Sequence, residues 1–252
     1  MADPSHARPA GPVSGGPARR TLLRTALTGA AALGAGLAVA APASAGSSRS
    51  SGGGTRPRPS TPGQALDALA SGNRRWRTFR EQHPDESLTV RQELVSGQHP
   101  FALVLGCIDS RVPPELVFDQ GLGDLMTVRS GGEVLDEAVL GSVAYGVLEL
   151  GIPLVMVLGH QSCGAVRAAV EVDESGERLP AHIQYLADQI KPAIDRTEEG
   201  DARVDATIDA NIRLVTSRLA TEPDLAAKVT SGKLAIVGAR YELDTYRVHR
   251  LV

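Results

Sequence analysis

Two short stretches decide how this chain reads: Gly106-Cys107-Ile108-Asp109-Ser110-Arg111 and Gly159-His160-Gln161-Ser162-Cys163-Gly164. They hold the only two cysteines in 252 residues. Each follows an apolar run, Phe101 to Leu105 in one case and Leu154 to Leu158 in the other. Runs of that length bounded by turn residues read as buried strands. Parallel strands finish on the same side of a sheet, and ligand sites form at those carboxyl ends. Cys107 and Cys163 can therefore meet beside His160. Two thiolates and one imidazole make a zinc ligand set with a fourth position open.

Composition narrows the alternatives. Hydrophobic residues make up 42% of the chain, which predicts a packed globule. The net charge is −3, and no dense Lys/Arg patch lies outside the N-terminal region, so nucleic-acid binding has no electrostatic footprint. Two cysteines in an exported chain would ordinarily suggest one disulfide, so a Cys107–Cys163 bridge competes with the metal reading. Their positions at strand ends beside a histidine favour metal.

The first 45 residues read as an export signal. Arg19-Arg20 precedes an apolar run from about Ala26 to Ala41, and Ala43-Ser44-Ala45 supplies the small residues a signal peptidase needs. The paired arginines resemble a twin-arginine signal, which implies that export machinery as a partner and a location across the cytoplasmic membrane. If the signal is not cut, it is an anchor instead. Residues 46–60 are rich in Ser, Gly, Arg and Pro and read as a flexible linker. One domain is expected over 61–252. Thr61-Pro62 starts a helix that runs through Leu66, Leu69 and Trp76 to about Phe79, with Trp76 as a packing residue. Strands are expected at Asp124–Arg129 and Leu234–Val237, with a terminal edge strand within Tyr246–Val252. Helices are expected at Ser87–Ser96, Glu137–Leu150, Pro180–Asp195 and Val204–Leu219, the third burying Ile183, Leu186 and Ile190. Glu198 to Asp201 reads as a loop. Alternating strands and helices define an α/β fold with a mostly parallel central sheet flanked by helices.

C-x-D-S-R followed by G-H-x-x-C-G resembles the β-class carbonic anhydrases, over about Thr61 to Val252. The resemblance implies that Cys107, His160 and Cys163 bind one zinc per chain and that Asp109 and Arg111 form a catalytic dyad. Zinc with three protein ligands makes hydroxide near neutral pH, and that hydroxide attacks carbon dioxide to give bicarbonate. Two thiolates cancel the metal's charge, so the water is less acidic than at a three-histidine site and activity should rise through the neutral-to-alkaline range. Paired with Arg111, Asp109 is held off the metal; released, it becomes the fourth ligand and blocks catalysis. Gln98, in Gly97-Gln98-His99-Pro100, resembles the plant-type substrate-binding glutamine, and Tyr145 stands where that subgroup has a pocket tyrosine. In the family these groups reach the pocket across a dimer interface, which implies a homodimer or larger assembly.

Two departures from the family pattern stand out. Arg129-Ser130-Gly131-Gly132-Glu133 replaces R-N-x-A-N, and Met126 replaces an aromatic pocket wall. Gly131 removes a side chain beside the substrate and should leave the pocket wider or more polar. His99 and Glu149 are candidate proton shuttles. His83, His182 and His249 read as surface residues. The competing functions are a carbonyl sulfide or carbon disulfide hydrolase on the same scaffold, and a non-catalytic zinc- or bicarbonate-binding protein.

Overall fold

The computed structural model describes residues 58–252. The signal read over 1–45 and all but the last three residues of the linker lie outside them. The two apolar runs form the centre of a five-stranded sheet. β1 (Ala102–Cys107) lies between β2 (Leu125–Ser130) and β3 (Leu154–His160). β4 (Ala235–Tyr241) follows β3, and β5 (Val248–Arg250) closes that edge. The first four strands are parallel and β5 is antiparallel to β4. This is the mostly parallel α/β sheet expected from the alternation of elements.

β1 and β3 are buried at every residue. Side chains alternate across the pleat, yet both faces are covered, so these strands read as continuous apolar runs. Leu103, Leu105, Val155 and Val157 face one helical layer. That layer holds α4 (Glu137–Leu148), α5 (Gly164–Ser175), α6 (Ala181–Ile190), α7 (Gly200–Thr221) and α8 (Pro223–Thr230). Val104, Leu154, Met156 and Leu158 face the other, built from α1 (Pro62–Arg77) and α3 (Pro114–Val117). Short α2 (Leu88–Glu93), capped by Ser87, lies between α1 and β1 in the chain. Each fully buried aliphatic side chain contributes about 1.5–3 kcal/mol.

Three expectations need correction. α6 buries Gln184, Ala187 and Ile190, whereas Ile183 is 50% exposed. The Gln184 carboxamide accepts from Leu179 N and donates to Asp188, so its polar atoms are satisfied beneath the helix. α7 begins at Gly200, inside the segment read as a loop. β4 continues past Val237 to Tyr241. Its Arg240 is buried because Asp209 of α7 and Glu242 each pair with it at 3.0 Å.

α1 starts as its first residues predict. Thr61 Oγ1 accepts from Gln64 N, and Pro62 occupies the first turn. The helix ends at Arg77, two residues early, and Phe79 takes a left-handed φ of 54°. Ala65, Leu69 and Gly72 form its buried stripe. Trp76 packs as expected, donating from Nε1 to the Tyr241 hydroxyl at 3.0 Å. Asn73 donates to the carbonyls of Val117 and Tyr246 and accepts from Val248 N, tying α1 to α3 and β5. Gly72 allows the close approach: a Cβ there would lie 1.6 Å from the Phe118 carbonyl oxygen. Gly72→Ala must push α1 away from the end of α3, and we expect about 1–3 kcal/mol of destabilisation with a lowered thermal midpoint by circular dichroism. A midpoint equal to wild type would show that the contact is not tight.

Candidate metal centre

Adjacent parallel strands supply the first two ligands. Gly106 of β1 lies opposite Leu158 of β3, so Cys107 and His160 leave the sheet at the same end. The third arrives through a tight turn. Ser162 adopts a left-handed φ of 56°, which turns the chain back so that Cys163 sits at the start of α5. Among the described residues, Cys107, His160 and Cys163 form a buried cluster whose ligand atoms all lie within 4.8 Å of one another.

The cluster fits a metal rather than a disulfide. The two Sγ atoms are 3.9 Å apart and both cysteines are free. A disulfide needs about 2.05 Å. Two zinc–sulfur bonds of about 2.3 Å at the tetrahedral angle span about 3.8 Å. His160 Nδ1 donates to the Gln161 carbonyl at 2.9 Å, because a carbonyl oxygen can only accept. That fixes the lone pair on Nε2, which is fully buried and has no hydrogen-bond partner. A buried nitrogen with a lone pair and no donor is completed by a cation. The Cys163 thiol's hydrogen bond pulls Cys107 down to about 4 against burial, helped by His160 and the backbone N–H groups of Gly132 and Asp109. Cys163, which gives that hydrogen bond, is pushed up by it, by burial and by Glu133.

Asp109 stands over this cluster. Its Oδ1 accepts from Arg111 N and Nε at 2.9 Å, and its Oδ2 accepts from Nη2 at 2.7 Å. Oδ2 is also 3.8 Å from His160 Nε2. Arg111 holds the carboxyl at about 2, so Asp109 is ionised throughout the neutral range. Both carboxylate oxygens are engaged by Arg111.

Two functional neighbours were not assigned roles from the sequence. Arg129 reaches from β2 and donates to the carbonyls of Cys107 at 2.8 Å and Asp109 at 2.6 Å, clamping the loop that carries ligand and dyad. Glu133 ends the turn Gly131–Glu133 with φ 54°, and its side chain is buried with Oε1 unpartnered. Burial first and Cys107 second push its carboxyl well above the usual range, against the Asn211 amide. The visible signal for Glu133 was an acid in a Gly-Gly turn where the family pattern has Asn.

Of the remaining site candidates, Gly131 lies beside the cluster, against Ile108 and Ala165. Gly131 is buried, but a Cβ there would come 2.9 Å from Leu186 Cδ1. Leu186 of α6 takes the space, so the widening expected from Gly131 does not occur at that atom. Gln98 is exposed and lines an open cavity with Leu94, Val95 and Leu122. Tyr145 is 52% exposed on α4. Met126 packs against the α4-side core. His99 and Glu149 are exposed, and among the described residues neither shares a hydrogen bond with the cluster. His83 and His182 are exposed as expected.

Residues 102–248 match the family described as carbonic anhydrase. Carbonic anhydrase 2 of Mycobacterium tuberculosis is 41% identical over 188 residues, covering 74% of this chain and 91% of that protein. A carbonic anhydrase of Mycolicibacterium smegmatis is 39% identical over 191 residues, covering 75% and 93%. Among solved structures, the β-carbonic anhydrase CcaA superposes with a TM-score of 0.60 at 24% identity, covering 73% of this chain and 94% of that one. A tetrameric β-carbonic anhydrase from Sordaria macrospora also gives 0.60, at 20% identity over 74% and 96%. The chain belongs to the carbonic anhydrase family, the carbonate dehydratases, and carries the fold of its β class.

Proposed function

We propose that this protein hydrates carbon dioxide reversibly to bicarbonate, with one zinc held by Cys107, His160 and Cys163. The observation that carries the reading is the 3.9 Å sulfur pair beside an unpartnered His160 Nε2. A zinc ion bound there would lower the pKa of water enough to supply hydroxide near neutral pH. The chain's own residues do the rest. The Gln161 carbonyl fixes the His160 tautomer. Arg111 holds Asp109 ionised and aimed across the ligand cluster, where its carboxylate accepts a hydrogen bond from the nucleophile and orients it. Arg129 fixes the backbone between Cys107 and Val112.

Gln98 and Tyr145 contribute to substrate binding in an assembly, in which they serve the pocket of a second subunit. The support is three exposed apolar side chains, with Ile108 at 63%, Tyr145 at 52% and Leu122 at 45%, together with an outer edge of β2 that pairs with no other strand among the described residues. Export rests on Arg19-Arg20, the apolar run and Ala43-Ser44-Ala45.

Stopped-flow carbon dioxide hydration with zinc analysis on the same sample tests the central claim. We expect one zinc per chain and turnover that rises from neutral to alkaline pH. Asp109→Asn should keep the zinc and lose most turnover, about 10²-fold or more. Because Asp109 is ionised, the substitution also removes a negative charge beside the ligand cluster, so the plateau should fall and the pH midpoint should shift downward. Full zinc occupancy without turnover at alkaline pH would turn attention to carbonyl sulfide as substrate or to a binding role. Sedimentation should give a dimer or larger species; a fully active monomer would sink the shared pocket. N-terminal sequencing of exported protein should begin at Gly46, and an uncut chain retained inside the cell would overturn the export reading.

A further inference from the structure

Away from the metal cluster, a cavity of about 390 Å³ opens between α1 and the β4–β5 edge. Its apolar lining is Leu66, Ala70 and Val248, which keep some exposure, over Leu69, Phe118 and Met156, which are buried. Asn73, saturated by its bonds to Val117, Tyr246 and Val248, also lines it. Its rim is cationic. Arg74 and Arg77 come from α1, and Arg247 and Arg250 from the C-terminal segment. Asp67 is the one acid among the lining residues.

Exposed arginines of this chain fall into two groups, those paired with a carboxylate and those, such as Arg80, Arg91, Arg178 and Arg218, that pair with none among the described residues; the rim is distinguished by gathering four of the second group at one opening. Arg167, Arg196 and Arg203 each pair with a carboxylate at 2.8–2.9 Å. Among the described residues, none of the four rim arginines pairs with one. Four unpaired guanidinium groups around one opening run against a net charge of −3. Like charges so placed repel, and an anion between them removes that repulsion. Guanidinium forks match carboxylate and phosphate oxygens in pairs. The partly exposed Leu66 and Val248 add a second requirement, because a bare anion would leave them wet. A cavity of this size falls in the range that encloses a small organic ligand.

We propose that this cavity binds an amphiphilic anion, an apolar chain seated against Leu66 and Val248 beneath a carboxylate or phosphate head held by the arginine rim. The chain's own N-terminal segment is no match. Residues 1–57 carry six arginines and only Asp3 as an acid, so the rim repels them. The site is separate from the proposed reaction and does not depend on it.

Calorimetry on the full chain tests this with three probes. Octanoate offers both chain and charge, 1-octanol the chain alone, and acetate the charge alone. We expect saturable octanoate binding at one site per chain, with octanol and acetate each weaker by about tenfold or more. Arg77→Glu combined with Arg250→Glu reverses half the rim. It should weaken octanoate by about tenfold or more, leaving the circular dichroism spectrum and carbon dioxide hydration unchanged. Cosedimentation with phosphatidylglycerol vesicles, competed by octanoate, would assign the head group to a lipid; octanoate binding without cosedimentation would assign it to a soluble acid. Octanol binding as tightly as octanoate would reduce the cavity to an apolar crevice and overturn the proposal. So would the absence of saturable octanoate binding, or octanoate affinity untouched in the charge-reversed variant. Vesicle binding that octanoate does not compete would equally place the interaction outside the cavity.

Discussion

The pairing of β1 with β3 is the constraint on which everything else depends. Two non-consecutive strands, 52 residues apart at their first residues, lie side by side in parallel register, with Leu103 opposite Val155 and Gly106 opposite Leu158. That register leaves Cys107 and His160 at one level. A slip of one residue would turn Cys107 to the other face of the sheet, because strand side chains alternate. The burial of both faces forbids such a slip: Leu105 and Val157 would exchange layers with Val104 and Leu158. The hydrophobic packing of the sheet thus sets the position of the ligands, and the left-handed Ser162 brings in the last one.

Charge explains why this arrangement suits a cation. The inner wall of the cluster offers two sulfurs and the buried Glu133, whose Oε1 has no partner. The nearest guanidinium groups are committed elsewhere, Arg111 to Asp109 and Arg129 to backbone carbonyls. Burying such groups without a counter-charge is unfavourable, and the chain answers by holding Cys163 and Glu133 toward their neutral forms. A divalent ion changes that balance directly, which couples metal binding to proton release and to stability.

Much of this was legible in the residues, and the exceptions have physical causes. The central strands were visible because they are apolar on both faces. The ligand cluster was visible because its members stand at strand ends. The face of α6 was misread because Gln184 is buried with its amide satisfied, which no periodicity of apolar residues can reveal. The end of β4 was misread because Arg240 looks like a surface residue until the acids of α7 reach it. Gly131 suggested an open pocket, but its room belongs to Leu186, a contact set by how α6 lies on the Gly131–Glu133 turn. Gln98 and Tyr145 do not meet the cluster within one chain, because neither lies on the β1–β3 end of the sheet.

The Asn73 clamp has a consequence for how the chain is made. Its carboxamide joins the first helix to backbone groups of Tyr246 and Val248, more than 170 positions later. α1 shares with α3 the cover of one face of β1 and β3, so that cover is complete only once the clamp can close. During synthesis the ribosome must release nearly the entire chain before the last layer can seat. Vectorial folding from the N-terminus can build β1 with β2 and then add β3, but it cannot finish the domain. Part of an apolar sheet face therefore lacks its final cover until the C-terminal segment has emerged.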